Sequence, residues 1–135
     1  MDDRVDSGRH GCLFYAGDRR FQSGDPCCCE KRHLVSDSRV TFHVIDGADF
    51  LKRSSNQFDL IYADAWPGKF SHLDLALASL RVGGIYFIDD LLPQPNWPEG
   101  HAPKVPALMA DLESRSDLVC TRLEWASGLM IAVKR

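Results

Sequence analysis

Two apolar runs in the middle of the chain, Phe58-Asp59-Leu60-Ile61-Tyr62-Ala63 and Ile85-Tyr86-Phe87-Ile88, each stop at acid, the first at Asp64 and the second at Asp89-Asp90. Short runs that are apolar almost throughout are expected of strands covered on both faces. Between them Leu73, Leu75, Ala76, Leu77, Ala78 and Leu80 can supply an apolar helix face, and Gly83-Gly84 is expected to end that helix and release the next strand. The pattern predicts a β-α-β unit over 58–92. A right-handed crossover points both strand ends to the same edge of a parallel sheet, which places Asp64, Asp89 and Asp90 together. Open α/β sheets bind ligands at that edge, and three carboxylates gathered there repel one another unless something positive sits among them. The plainer alternative is that Asp64 begins a turn and Asp89-Asp90 solvates a strand end.

The same reading extends to either side. Val40 to Ile45 is a β-branched, aromatic run ending at Asp46-Gly47, so it predicts a strand, and Ala48 to Leu51 begins a short helix before Ser54-Ser55-Asn56 turns the chain. Asp46 is then either a strand-end acid or the cap of that helix. Leu91 to Gly100 is a loop with three prolines and Trp97; Trp66 and Trp97 either wall an aromatic pocket or cover the ends of the sheet. Pro103 fits a helix first turn, and Val105, Leu108, Met109 and Leu112 carry the spacing of a helix packed on the sheet. Leu118–Trp125 and Leu129–Val133 flank Ala126-Ser127-Gly128 and predict an antiparallel hairpin. His43 and His101 stand alone and are expected to be structural.

Residues 1–39 differ from this, because apolar residues occur only over Cys12–Ala16 and around Phe21 and Leu34. Cys27-Cys28-Cys29 have no C-x-x-C spacing to another cysteine, and adjacent side chains cannot all turn inward, so the five cysteines are expected to be free thiols. The 135 residues, 44% hydrophobic and 26% charged, fit a single domain, with 1–30 poorly defined. A net charge of −3 without a basic run argues against a nucleic-acid partner. No apolar segment approaches the roughly 20 residues that cross a bilayer, and no signal-peptide pattern is present, so a cytoplasmic protein with no membrane partner is expected.

Asp64, Lys69 and Asp89-Asp90 also carry a resemblance. The stretch 58–92 resembles the second half of a class I S-adenosylmethionine-dependent methyltransferase, specifically the metal-dependent catechol and caffeoyl-coenzyme A O-methyltransferase type, which has an Asp followed closely by a Lys after its fourth strand and an acidic pair after its fifth. The resemblance covers about Lys31 to Arg135. It implies a Rossmann-like α/β fold with a mainly parallel sheet and a C-terminal antiparallel hairpin. It further implies S-adenosylmethionine as cofactor, with Asp46 and Asp64 contacting it, and Mg²⁺ or Ca²⁺ held by Asp64, Asp89 and Asp90. Lys69 would be the base, a small-molecule hydroxyl the methyl acceptor, and a homodimer the assembly. Pro67-Gly68 place Lys69 further from Asp64 than the usual Asp-x-x-Lys, which weakens the base assignment.

The family's opening strand and Gly-rich turn, and the ribose-binding acid, are not evident in residues 1–39, so the N-terminal part reads as incomplete. The chain alone is therefore expected to bind S-adenosylmethionine weakly or not at all. The alternative function is a truncated or frame-shifted, non-catalytic methyltransferase fragment. A phosphoacceptor receiver-like domain also gathers an acid pair and a single Asp, but there the pair comes first and the Lys last.

Overall fold

The structure, a computed structural model, describes residues 12–15, 43 and 45–135. Its first strand, β1 (Cys12–Tyr15), precedes helix α1 (Gly47–Arg53). Asp46 caps α1, its Oδ1 accepting the N–H groups of Ala48 at 3.0 Å and Asp49 at 3.3 Å, while Lys52 and Arg53 lie in the last turn, where positive charge suits the helix dipole. Strand β2 (Phe58–Ala63), helix α2 (Leu73–Ala78) and strand β3 (Leu80–Ile88) form the β-α-β unit, with β2 and β3 parallel as expected. Helix α3 (Lys104–Ser114) and the antiparallel hairpin of β4 (Leu118–Leu123) and β5 (Leu129–Lys134) follow, both where the sequence pattern places them.

Among the described residues one five-stranded sheet runs β1-β2-β3-β5-β4, parallel from β1 to β3 and antiparallel from β3 to β4. This is the α/β class read from the sequence. One face carries Ile61, Ala63, Tyr86, Ile88, Met130 and Ala132, all at most 3% exposed, in one cluster with Leu51 of α1, Ala76 and Leu77 of α2, and Val105, Leu108 and Leu112 of α3. The alternation along β4 and β5 explains the split, since neighbouring side chains point to opposite faces. On the other face Leu60, Tyr62, Phe87, Ile131 and Val133 are half-buried, and Ile85, Val119 and Leu123 are exposed.

Two expectations change. Gly83-Gly84 do not end the helix: α2 stops at Ala78, Leu80 already pairs with Phe58, and both glycines lie inside β3. The register jumps from Phe58↔Leu80 to Leu60↔Ile85, so residues 81–84 bulge out of the ladder. Gly84 permits the bulge because a Cβ there would lie 2.8 Å from the Arg81 carbonyl oxygen. The second change concerns the opening strand, which Cys12–Tyr15 supply by pairing in parallel with Leu60–Ala63. Of the strand expected over 40–45 only His43 and Ile45 are described, and neither is in a strand; Cys27-Cys28-Cys29, Lys31–Leu34 and Asp25-Pro26 lie outside the described residues. No helix among the described residues is long and apolar enough to cross a membrane.

Candidate functional site

Strands β1, β2 and β3 run in parallel and end level, Tyr15 opposite Ala63 and Ala63 opposite Ile88. Asp64 and Asp89-Asp90 therefore leave the sheet at one edge, as the β-α-β pattern requires, and the negative charges of Asp89 and Asp90 each push the Asp64 pKa up.

Asp89 is the most constrained of the acids. Its Oδ2 accepts the Tyr62 hydroxyl at 2.5 Å, and its Oδ1 accepts the Ser127 hydroxyl and the backbone N–H of Asp90 at 2.7 Å. Burial pushes its pKa up, but these three donors and the nearby Lys69 charge outweigh that and hold it below the usual carboxylate value. Asp90 turns the chain in the left-handed region, φ 60°, which Asp tolerates better than most residues, and its carbonyl oxygen lies 3.1 Å from Nε2 of His101. Asp64 is exposed; partial burial and then the charges of Asp89 and Asp90 raise its pKa, against the pull of Lys69.

Lys69 reaches this edge from a tight loop. The Trp66 carbonyl oxygen accepts the N–H groups of Lys69, Phe70 and Ser71, and Gly68 at φ 85° reverses the chain. The Tyr86 hydroxyl, fully buried, donates to the Gly68 carbonyl oxygen and fixes the loop to β3. The longer Asp64-to-Lys69 spacing is thus absorbed by a turn, and Lys69 is carried inward to 3% exposure with its Nζ donating to the Asp89 carbonyl oxygen at 2.5 Å. Burial lowers its pKa, while Asp90, Asp64 and Asp89 restore part of the loss.

A row of rings lies beside it. Trp66 meets Phe70 edge-on at 5.8 Å, Phe70 meets His101 edge-on at 4.8 Å, and Trp97 stacks on His101 at 4.4 Å. The two tryptophans so end one continuous packed row. His101 is 4% exposed, held between the rings of Phe70 and Trp97.

Tyr62, Tyr86 and Ser127 were not among the residues the sequence singled out. Tyr62 had a faint signal, because strand alternation puts it on the same face as a residue two further on, Asp64. Ser127 had none, being 38 residues from Asp89.

The acids of this edge turn to protein donors and do not fit the expected divalent cation. Among the described residues no group of three or more His, Cys, Asp or Glu side chains is placed to hold a metal ion. A carboxylate offers about four lone-pair directions, and three of those on Asp89 already receive donors. Asp46, expected at the cofactor, spends Oδ1 on the helix cap.

The same architecture recurs in solved structures. A protein of Corynebacterium glutamicum superimposes with a TM-score of 0.61 and 23% identity, over 73% of this chain and 49% of that one. The fold is one that solved methyltransferases share. A methyltransferase of Podospora anserina bound to S-adenosylhomocysteine matches this methyltransferase fold with a TM-score of 0.54 and 18% identity, over 67% of this chain and 47% of its own. An O-methyltransferase of Bacillus cereus in complex with S-adenosylhomocysteine gives 0.53 and 18%, over 64% and 46%. The chain spans about half the length of these structures. No protein family and no curated protein matches it.

Proposed function

We propose that the chain takes part in methyl transfer from S-adenosylmethionine to a hydroxyl of a small molecule. The observation that carries this reading is the meeting of Asp64, Asp89, Asp90 and Lys69 at the carboxyl edge of three parallel strands, the place where folds of this type hold ligands. The cofactor would supply an electrophilic methyl group on a positively charged sulfur. Asp64 is the exposed acid of the edge and would hold the cofactor's polar groups, and Asp46 would accept from the adenine amino group. Lys69 would take the acceptor's hydroxyl proton as the oxygen–methyl bond forms and the methyl–sulfur bond breaks with its electron pair going to sulfur. Burial lowers the Lys69 pKa and so leaves more of its amine neutral and able to take a proton, and the three acids stabilise the ammonium that results.

The alternative of a non-catalytic fragment rested on the lack of an opening strand with its Gly-rich turn, of a ribose-binding acid, and on the change of composition near Lys31. Cys12–Tyr15, in register with β2, supplies the strand, which favours the enzyme reading. Titration calorimetry with S-adenosylhomocysteine tests it. Saturable binding that weakens about tenfold or more in Asp64→Asn is expected, a loss of about 1.4 kcal/mol. No heat at millimolar ligand, with the sheet folded by circular dichroism, would sink the proposal.

A further inference from the structure

The chain has three tryptophans, and all of them lie at the acid edge: Trp66 follows β2, Trp97 follows β3 and Trp125 follows β4. The hairpin places the third, because Met130 pairs with Ile88 and Leu123 with Leu129, so the β4–β5 turn rises from the end of the sheet that carries Asp64 and Asp89. We propose that Trp125 is a binding residue for the methyl acceptor, its indole face covering a flat apolar ring that bears the hydroxyl. This rests on the reading of the edge given above and adds to it the residue that recognises the acceptor's body.

Trp125 differs from the other two in what it touches. Trp97 stacks on His101 and packs against the core, while Trp66 meets Phe70 edge-on and has the Lys104 ammonium over its ring. Trp125 has neither a ring nor a cation beside it among the described residues, and it is 72% exposed. An indole left in water keeps a large apolar face whose burial is favourable, and the next flat surface to arrive supplies that burial.

The turn that carries the indole is fastened to the site. The Ser127 hydroxyl donates to Asp89, the carbonyl oxygens of Ser127 and Gly128 accept the N–H groups of Leu92 and Leu91, and the Trp125 carbonyl oxygen accepts the Gly128 N–H at 2.9 Å. Ala126, next to the indole, stands at φ 52°, a conformation that a side chain disfavours. Such strain persists only where the surroundings enforce it, and here it sets the backbone that presents the ring. Trp125 is thus offered on a stiff support with two side-chain torsions to settle, so little freedom is lost when a ligand covers it. A flat ligand gains most, because stacking uses a whole face.

Calorimetry of the full chain with 2-naphthol, a flat ring system bearing a hydroxyl, tests this apart from the cofactor titration, with the saturated decahydro-2-naphthol as the probe that lacks the flat face. The wild type should bind 2-naphthol saturably, Trp125→Ala should weaken that binding about tenfold, and Trp125→Phe should hold it within about threefold. Decahydro-2-naphthol should bind more weakly and be indifferent to Trp125→Ala, and S-adenosylhomocysteine should titrate alike in the variant and the wild type. With ¹⁵N-labelled tryptophan, the indole N–H signal that Trp125→Phe removes should shift as 2-naphthol is added and saturate with the calorimetric Kd. Undiminished 2-naphthol binding in Trp125→Ala would overturn the proposal, as would a wild type that takes up no 2-naphthol. If Trp125→Ala does not fold, the Trp125 indole signal decides alone: a saturable shift supports the proposal, and its absence overturns it. Loss of 2-naphthol binding in Trp125→Ala, with no response of the wild type to S-adenosylhomocysteine, would sink the cofactor reading and leave this ring-binding site standing.

Discussion

Asp89 owes its low pKa to Ser127, Tyr62 and the Asp90 N–H, which together outweigh its burial. An acid whose folded pKa is depressed adds stability above its unfolded pKa, about 3.9, and loses it as the pH falls through the lower folded value. Tyr62→Phe removes one of those donors, so the Asp89 pKa should rise toward the ordinary value and the acid limb of the stability curve should move to higher pH. The cost at neutral pH should be about 1–2 kcal/mol, read from urea melts at several pH values. Asp64 behaves oppositely. Its raised pKa means that ionisation costs folding free energy once the pH passes its unfolded pKa, and Asp64→Asn should leave stability equal or slightly higher at pH 7. The gain should stay within about 0.5 kcal/mol, because Asp64 is exposed and solvent screens it.

Among the elements, the turn between β4 and β5 is the least tolerant. Gly128 sits at φ 82°, and a Cβ there would lie 2.5 Å from both the Cγ and the backbone nitrogen of Leu92. Its carbonyl oxygen accepts the Leu91 N–H at 3.0 Å, and that of Ser127 accepts the Leu92 N–H at 2.7 Å. Gly128→Ala should cost about 2–4 kcal/mol through overpacking and a strained left-handed conformation. By displacing Ser127 it should also raise the Asp89 pKa, which carboxylate NMR titration would report. The hairpin, α3 and the β-α-β unit were legible because each repeats its period over several residues, with Val105, Leu108 and Leu112 all buried as their spacing required. The misplacement of Gly83-Gly84 shows the limit, since glycine next to a helix reads as a stop, while the bulge that uses it depends on pairing with Phe58 and Leu60. Asp64, Asp89 and Lys69 could be brought together from the order of elements. The donors on Asp89 could not, because a hydrogen bond to Ser127 leaves no trace in either local sequence.

Among the described residues the buried core lies on one face of the sheet. Leu112, 0% exposed among the side chains of that face, should cost about 2–5 kcal/mol when cut to Ala. Val119 is 44% exposed on the opposite face, and its replacement by Ala should change stability by no more than about 0.5 kcal/mol. Chemical denaturation of the two variants side by side measures the asymmetry. Equal losses would mean that the second face is also packed in solution.

The bond between Ser127 and Asp89 has a consequence for how the protein is made. Phe58–Ile88 is a local unit and can form as soon as it leaves the ribosome, but the hydroxyl that fastens its acid pair lies 38 residues later. At about 5–20 residues per second, the nascent chain carries that pair unfastened for roughly 2–8 s. During this interval Asp89 lacks one of the donors that lower its pKa, and the acid edge is completed only as the β4–β5 turn arrives. Synonymous codon changes that slow translation between Asp90 and Ser127 would lengthen that window and leave the finished molecule unchanged.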